Sequence, residues 1–191
     1  MAHGAFVVPF STSPMFLVYN KQLFQSAGVE TPDTLYSKGD WTWDALRDLS
    51  KELAGKLPSG KYAFDTLGQS DLPTYSDPYD YLPSILFPYG AKVWDLDKGV
   101  CLLDQPAAVQ AITLYHNMIF VDKSAVPPGV TADFFSGQSA MTLTQLSQMN
   151  KLQSAPFEWG VLPVPAGPAG TVVNLGWAGV GVFKASHNSA M

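Results

Sequence analysis

The feature that most limits the fold of this sequence is the distribution of its prolines and glycines. The 191 residues include 15 Pro and 16 Gly, which divide the chain into short segments. Every apolar run ends far short of the ~20 residues that a membrane-spanning helix needs. We therefore expect short strands and helices joined by many loops, and no segment that spans a membrane.

The composition indicates a folded protein that does not bind nucleic acid. Hydrophobic residues make up 47% of the chain and aromatic residues 13%, which is enough for a packed core. The formal charge is −5, whereas proteins that bind nucleic acids or anionic membranes depend on basic patches. A loop-rich, aromatic-rich surface favours small-molecule recognition.

Two strands and two helices are predicted in the first part of the chain. The apolar residues 5–8 and 15–19 predict strands, separated by a polar loop that carries Pro9 and Pro14. The first helix is predicted between an N-cap at Asn20 and a C-terminal glycine at Gly28, and a loop at Pro32 follows it. The second helix is predicted between Thr42 and Gly55. Its apolar residues recur at helical spacing, and they are Trp43, Leu46, Leu49 and Leu53.

Helices and strands alternate in the rest of the sequence, which predicts an α/β fold. Prolines allow only an interrupted helix over residues 72–89, and turn residues predict a hairpin over 93–103. A helix that starts at Pro106 carries an apolar stripe of Val109, Ile112, Tyr115 and Ile119. Further predictions are helices over residues 131–137 and 145–153, and strands over 140–143, 157–162 and 172–183.

The sequence offers little support for catalysis, a metal site or a cofactor. His3, His116 and His187 are far apart, and the single cysteine, Cys101, excludes a Cys-based metal site. No phosphate-binding loop, dinucleotide-binding motif or serine-hydrolase motif occurs. We therefore expect no metal and no cofactor, and we expect Cys101 to be an inert thiol in the core.

The segment at residues 75–81 (YSDPYDY) has the side chains that sugars require. Aromatic rings stack on the apolar faces of pyranoses, and carboxylates accept hydrogen bonds from sugar hydroxyls. The tyrosines could instead pack against a neighbouring helix. Asp77 and Asp80 could form a glycosidase pair, although acidic residues at a helix start are more often caps.

Trp177 is a second candidate contact for a ligand. The neighbouring glycines, Gly176 and Gly179, leave the backbone open to a ligand, although this tryptophan could also fill a gap in the core. Core packing is the expectation for the other tryptophans, which are Trp41, Trp43, Trp94 and Trp159.

Five segments occur in a distinctive order along the chain. They are residues 15–28 (MFLVYNKQLFQSAG), 41–46 (WTWDAL), 137–143 (GQSAMTL), 159–168 (WGVLPVPAGP) and 176–183 (GWAGVGVF). Together they resemble segments of the extracellular solute-binding proteins of ABC importers, in the large sugar-binding family that includes maltose-binding protein. The resemblance extends over nearly the whole chain.

The resemblance implies a type II periplasmic-binding-protein-like fold, in which two α/β lobes enclose a solute. Residues 1–191 resemble one α/β domain, the C-terminal lobe with hinge strands at both ends; an N-terminal lobe and a signal sequence would precede it. The full-length protein is then expected to be extracytoplasmic, in the periplasm or as a cell-surface lipoprotein. We do not expect residues 1–10 to act as a signal peptide, because they lack a basic region and a long apolar stretch.

The resemblance also implies where a solute binds. Asp77 aligns with an acidic residue that contacts sugar, and Tyr79 and Trp177 are expected to stack on sugar rings. Further contacts are expected from Ser76, Tyr81, Thr144, Gln145 and Gly176. Residues 140–147 lack the tryptophan that maltose-binding protein has after this segment, so maltodextrin specificity is not implied.

The resulting hypothesis is a non-catalytic protein that binds a carbohydrate or related polar solute for an ABC transporter permease. Its contact with the membrane would occur only through the permease. A hydrolase that uses Asp77 and Asp80, or a carbohydrate-binding module without a transport role, is the alternative. A single lobe could also self-associate, through its exposed cleft face or through hinge residues 5–8.

Overall fold

The computed structural model describes residues 8–65 and 78–181, with the backbone alone at 78–81 and 177. The strands are β1 (Val8–Asn20), β2 (Tyr62–Phe64), β3 (Trp94–Asp95), β4 (Val100–Cys101), β5 (Ser139–Gln145), β6 (Trp159–Leu162) and β7 (Leu175–Val180). The helices are α1 (Lys21–Ala27), α2 (Asp33–Lys38), α3 (Trp43–Ala54), α4 (Pro78–Leu86), α5 (Pro106–Phe120) and α6 (Met149–Gln153). Short 3₁₀ helices cover Phe87–Tyr89 and Leu146–Gln148.

The main sheet has the strand order β2-β5-β1-β6, and β7 pairs with β1 alone. Strand β2 is parallel to β5, whereas β1 is antiparallel to β5, to β6 and to β7. Helices connect several of these strands, which confirms the predicted α/β class. The hairpin of β3 and β4 forms a separate two-stranded sheet, as the turn residues between them predict.

Strand β1 corrects the prediction of two short strands with a loop between them. Residues 8–20 form one continuous strand, and its first half pairs with β7 while its second half pairs with β5 and β6. Pro9 and Pro14 are accommodated because, among the described strands, only β7 pairs with this half of β1, and the register shifts between Pro9 and Ser11. Residues 5–7 lie outside the described part of the chain.

The end signals of α1 and α3 are confirmed. The Asn20 side chain accepts hydrogen bonds from the backbone N–H groups of Gln22 and Leu23, and Gly28 adopts the left-handed conformation that ends α1. Thr42 caps α3 by accepting a hydrogen bond from the N–H of Ala45 at 3.1 Å. Local sequence therefore determines both ends of α1 and the start of α3.

Helix α2 replaces the loop that was predicted at Pro32. Asp33 in its first turn and Lys38 in its last turn complement the helix dipole. The hydroxyl of Tyr19 on β1 donates a hydrogen bond to the Asp33 carboxylate, so tertiary contact also stabilises this short helix. Conversely, residues 131–137 form turns rather than the predicted helix, because Ser136 bonds back to Asp133 instead of continuing a helical ladder.

Helix α5 confirms half of its predicted apolar stripe. Ile119 is buried and Tyr115 packs against the core, whereas Val109 is 49% exposed and Ile112 is 38% exposed. The buried residues of α5 are Ala108, Ala111, Leu114, Met118 and Ile119. Small alanines let α5 pack closely, and this outcome could not be predicted from hydrophobicity alone.

The core forms mainly between the sheet and helices α1, α3, α4 and α5. Trp41 and Trp43 are buried there, as expected. The predictions for Trp94 and Cys101 are wrong: Trp94 is 54% exposed and Cys101 is exposed, because the two-residue strands β3 and β4 stand apart from the main sheet. Trp159 is half-buried in β6.

An ion pair joins α3 to the end of α5. The Arg47 guanidinium donates to both carboxylate oxygens of Asp122, with an Nε–Oδ2 distance of 2.5 Å. The Asp122 side chain is 2% exposed, and the hydrogen bonds and positive charge of Arg47 hold the pKa of that carboxyl below its usual range. Among the described residues, none of the helices is both long and apolar enough to cross a lipid bilayer.

Candidate functional site

The carboxyl ends of three strands of the main sheet point toward the same edge. Because β2 is parallel to β5, and β5 and β6 are both antiparallel to β1, all three run toward the end of the sheet where β1 enters. Strands β5 and β6 end there, opposite Met15 and Leu17, whereas β2 ends level with Met141, four residues before the end of β5. Asp65, Gln145 and Pro163 lie at or directly after these ends. Ligands of open α/β sheets bind outside the carboxyl ends of the strands, so this edge is the candidate binding surface.

A two-stranded ribbon projects from the same edge. The first half of β1, residues 8–14, pairs with β7 and is largely exposed, whereas residues 15–20 are largely buried in the sheet. The N–H of Met15 donates to the carbonyl oxygen of Asn174 at 3.1 Å, which joins the root of the ribbon to the sheet. We call residues 8–14 with β7 the ribbon.

Gln145 and Gly176, two of the predicted site residues, meet at the root of the ribbon. A β-carbon on Gly176 would lie 3.1 Å from Gln145 Oε1 and 3.4 Å from the backbone oxygen of Ser13. Glycine at this position therefore lets the amide of Gln145 approach the backbone of β7 closely. The two residues are 31 positions apart in the sequence, and only the pairing of β1 with both β5 and β7 brings them together.

Thr144 does not fit the direct contact predicted for it. It is 2% exposed and pairs with Phe16 inside the sheet, so its side chain has almost no surface to offer a solute. Residues 139–144 of β5 are all buried, on both faces of the sheet, and only Gln145, the last residue of the strand, is half-buried.

The other predicted contacts lie in residues 76–81 and at Trp177. Ser76 and Asp77 lie outside the described residues, and the backbone of Tyr79, Asp80 and Tyr81 forms the first turn of α4. The backbone of Trp177 lies in β7 opposite Thr12, one residue beyond Gly176. Their roles as ligand contacts stay predictions.

One polar residue at this edge, Ser13, was missed by sequence reasoning. Ser13 lies opposite Gly176, and its hydroxyl oxygen accepts a hydrogen bond from the N–H of Ser147 at 2.9 Å. Asp65, which follows β2, is 5% exposed and donates its backbone N–H to the oxygen of Met141 at 2.8 Å, four residues before Gln145, so it lies away from this edge. The signal that could have identified Ser13 is its position as a polar residue next to the apolar strand segment 15–19.

Side chains suitable for a metal site are dispersed. In residues 8–65 and 78–181, no group of three or more His, Cys, Asp or Glu residues is arranged to hold a metal ion. The Asp95 carboxylate lies in the hairpin turn. It accepts hydrogen bonds from the backbone N–H groups of Asp97 and Lys98 and forms an ion pair with the Lys98 ammonium.

The sequence profile of the family described as "Bacterial extracellular solute-binding protein" matches residues 1–190. The chain belongs to this family. A Brucella abortus protein named "Putative binding protein" is 31% identical over 174 residues, which are 85% of this chain and 38% of that relative. The members of this family are solute-binding proteins rather than enzymes, which confirms the expectation of a non-catalytic protein at the level of the family.

Solved structures show the same fold. An ABC substrate-binding protein from Listeria monocytogenes, in complex with cycloalternan, matches with a TM-score of 0.74 and 26% identity, over 96% of this chain and 45% of its own. The GacH receptor of Streptomyces glaucescens matches with a TM-score of 0.73 and 24% identity, over 98% of this chain and 47% of its own.

The chain therefore spans less than half the length of these solved structures and 38% of the curated relative. It corresponds to one lobe of a type II periplasmic binding protein, as the resemblance predicted. The role of the ribbon as hinge strands stays a prediction. The description of the family as extracellular agrees with the expected extracytoplasmic location.

Proposed function

We propose that this chain supplies one wall of a binding site for a carbohydrate or related polar solute. The observation that carries the proposal is the position of the Gln145 amide beside the backbone of Gly176 at the root of the ribbon. It places an amide, which both donates and accepts hydrogen bonds, at the sheet edge where ligands of such folds bind. The cycloalternan bound to the Listeria neighbour supports a sugar as the solute.

The proposed contacts divide into polar and aromatic groups. Gln145 and Ser13 would hydrogen-bond solute hydroxyls beside the ribbon, and Asp77 would accept hydrogen bonds as a charged acceptor. Tyr79 and Trp177 would stack on the ring faces. Ser76, Tyr81 and the open backbone at Gly176 would complete the set. Buried Thr144 is left out of the proposal.

We further propose that a second lobe of a longer protein supplies the opposite wall. The solved neighbours are about twice as long as this chain, which covers 45% and 47% of them. Closure of two lobes about the ribbon would exclude water and strengthen the hydrogen bonds to the solute. The whole protein would then pass its solute to the permease of an ABC transporter outside the cytoplasm, and would contact the membrane through that permease alone.

Titration calorimetry with a panel of oligosaccharides and polyols tests the proposal. One wall should bind weakly, at about millimolar strength or worse, because a binding site normally encloses most of its ligand. Gln145→Ala and Trp177→Ala should each weaken binding by roughly 1–3 kcal/mol. The matched control is Gln110→Ala, an exposed glutamine on α5 far from the ribbon in the sequence.

Three results would count against this account. Equal binding by the Gln145 and Gln110 variants would remove the sheet edge from the site. Micromolar affinity within these 191 residues would favour a self-contained carbohydrate-binding module. Sustained release of reducing ends, abolished by Asp77→Asn, would indicate a hydrolase.

A further inference from the structure

A groove separates helices α2 and α3 on a side of the lobe that the proposed solute site does not use. Its volume is about 520 Å³. The loop at residues 28–31 contributes to its lining. None of the residues that line the groove belongs to β1, β5 or β7, whereas Ser13, Gln145 and Gly176 lie on those three strands. The groove is therefore distinct from the root of the ribbon.

The two walls of the groove come from the α2 segment and from α3. One wall contains Thr31, which precedes α2, and three residues of α2, and the other contains four residues at positions i, i+3, i+4 and i+7 of α3. The spacing on α3 places its four residues on one helical face. The residues of the first wall are Thr31, Thr34, Leu35 and Lys38, and those of the second are Ala45, Asp48, Leu49 and Glu52.

Both walls are fixed to the body of the lobe. Asp33, at the start of α2, accepts hydrogen bonds from the Tyr19 hydroxyl and from Thr31 Oγ1, the latter at 3.1 Å. Arg47 on α3 is paired with the 2% exposed side chain of Asp122. A groove whose walls are already held in place loses little conformational entropy when it binds a partner.

The groove combines an apolar floor with an acidic rim. Val29 and Leu49 are buried at its base. Glu30, Asp48 and Glu52 line it together with a single basic residue, Lys38, and all four are exposed. Within the described ranges, neither Glu30 nor Asp48 has a basic nitrogen within 4.0 Å, whereas Glu52 pairs with Lys56. The rim therefore has uncompensated negative charge.

We propose that this groove docks a segment of a partner protein that presents a lysine or arginine beside an apolar side chain. The apolar side chain would lie on Val29 and Leu49, and the cation would lie between Glu30 and Asp48. A protein segment fits better than a small molecule, because the rim residues are exposed and the groove cannot enclose most of a small ligand's surface. This inference does not depend on the solute that the ribbon edge binds.

Nuclear magnetic resonance with a ¹⁵N-labelled 191-residue chain tests the proposal. The probe is an amphipathic peptide of leucine and lysine, and its partner probe has glutamate in place of lysine. The lysine peptide should shift the amide signals of Thr34, Lys38, Asp48 and Glu52, and the glutamate peptide should not. Asp48→Lys should weaken lysine-peptide binding about tenfold, as loss of a close charge contact does.

The matched control is Asp97→Lys, which makes the same charge change on the exposed hairpin turn. This variant should change the affinity less than about twofold, since its charge lies away from the groove. Equal weakening by the two variants would show diffuse electrostatic attraction and would overturn the proposal. Spermidine that binds the groove as tightly as the peptide would overturn it too, because a polyamine has no side chain for the apolar floor.

Discussion

Gln145 Oε1 lies 3.1 Å from the position that a β-carbon on Gly176 would occupy. This proximity links the last residue of β5 to the second residue of β7, two strands that do not pair with each other. Strand β1 makes it possible because its buried half pairs with β5 and its exposed half pairs with β7. A small increase in side-chain size at position 176 should therefore change solute affinity while it leaves the stability of the fold largely unchanged.

Gly176→Ala should weaken solute binding and have little effect on stability. The added methyl group would crowd Gln145 Oε1, whose side chain is flexible enough to turn away, so the fold is retained while the polar contact is displaced. We expect a loss of roughly 1 kcal/mol of binding free energy. Calorimetry measures the affinity, and thermal unfolding measures the stability.

Gly55→Ala is the matched control for the Gly176 variant. A β-carbon on Gly55 would make only ordinary contacts, the nearest at 3.5 Å, and the Gly55 backbone is already in the right-handed helical region. It should leave solute affinity unchanged. A Gly176 variant that binds as tightly as the Gly55 variant would show that Gln145 has no role in recognition.

Asp122→Asn should remove a pH-dependent part of the stability. Because the Arg47 guanidinium holds the pKa of Asp122 below its usual value, the folded state binds fewer protons than the unfolded state near pH 4. The stabilisation is present above about pH 4 and is lost as the pH falls through and below that value. At pH 7 we expect the variant to lose roughly 2 kcal/mol of unfolding free energy. Arg47 is partly exposed, and this keeps the loss below that of a fully buried ion pair.

Urea unfolding at pH 7 and at pH 3 measures this effect. The wild-type chain should lose more unfolding free energy between the two pH values than the Asp122→Asn chain does. Parallel losses in the two proteins would show that the buried ion pair does not contribute to acid sensitivity. Asp97→Asn, which removes an exposed carboxylate from the hairpin turn, is the control variant.

Tyr19→Phe should reduce the alkaline sensitivity of the fold. Burial, together with the hydrogen bond to Asp33 and the charge of Asp33, raises the pKa of Tyr19 well above its ordinary value. The folded state therefore retains a proton that the unfolded state releases, and stability falls as the pH rises above about 10. The variant should show a smaller loss of unfolding free energy between pH 9 and about pH 11.

Tyr89 provides an internal reference for that measurement. Burial is the main cause that raises its pKa to about 12, and Tyr19→Phe leaves it unchanged. The difference between the two proteins therefore reports on Tyr19 alone. Identical alkaline unfolding curves would show that the Tyr19–Asp33 hydrogen bond does not stabilise the folded state.

Phe10→Ser should reduce self-association of the chain. Four large apolar side chains of the ribbon are more than half exposed, and such patches promote contact between molecules. They are Val8, Phe10, Leu175 and Val180. Sedimentation velocity over a range of concentrations should show association that this variant weakens. Tyr36→Ser, an exposed aromatic on α2, is the control; a chain that stays monomeric at every concentration would contradict the prediction.

Local signals predicted the parts of this fold that local contacts determine. The Asn20 and Thr42 caps are satisfied by backbone groups two or three residues away, so the sequence nearby is sufficient to predict them. Strand β1 could not be predicted in this way, because its exposed half depends on β7, more than 150 residues later. Cys101 was misplaced for a similar reason, since an apolar neighbourhood does not reveal that a hairpin stands outside the main sheet.

The candidate site was predicted in part. Gln145 and Gly176 were expected from the family resemblance, and the structure places the Gln145 amide beside Gly176, although their contact with a solute stays a prediction. Thr144 is buried because both faces of β5 are covered over residues 139–144, and Gln145 is half-buried because the strand ends there. No local sequence pattern specifies where that cover ends. Ser13 was missed because its role requires Ser147 to lie opposite, 134 residues away.

The most direct test of the central claim is to map solute contact on the ¹⁵N-labelled chain by nuclear magnetic resonance, with an oligosaccharide that calorimetry shows to bind. We predict that the shifts concentrate on the amides of Ser13, Gln145 and Gly176 at the root of the ribbon. Shifts confined to other surfaces of the lobe, with these amides unchanged at saturation, would contradict the account.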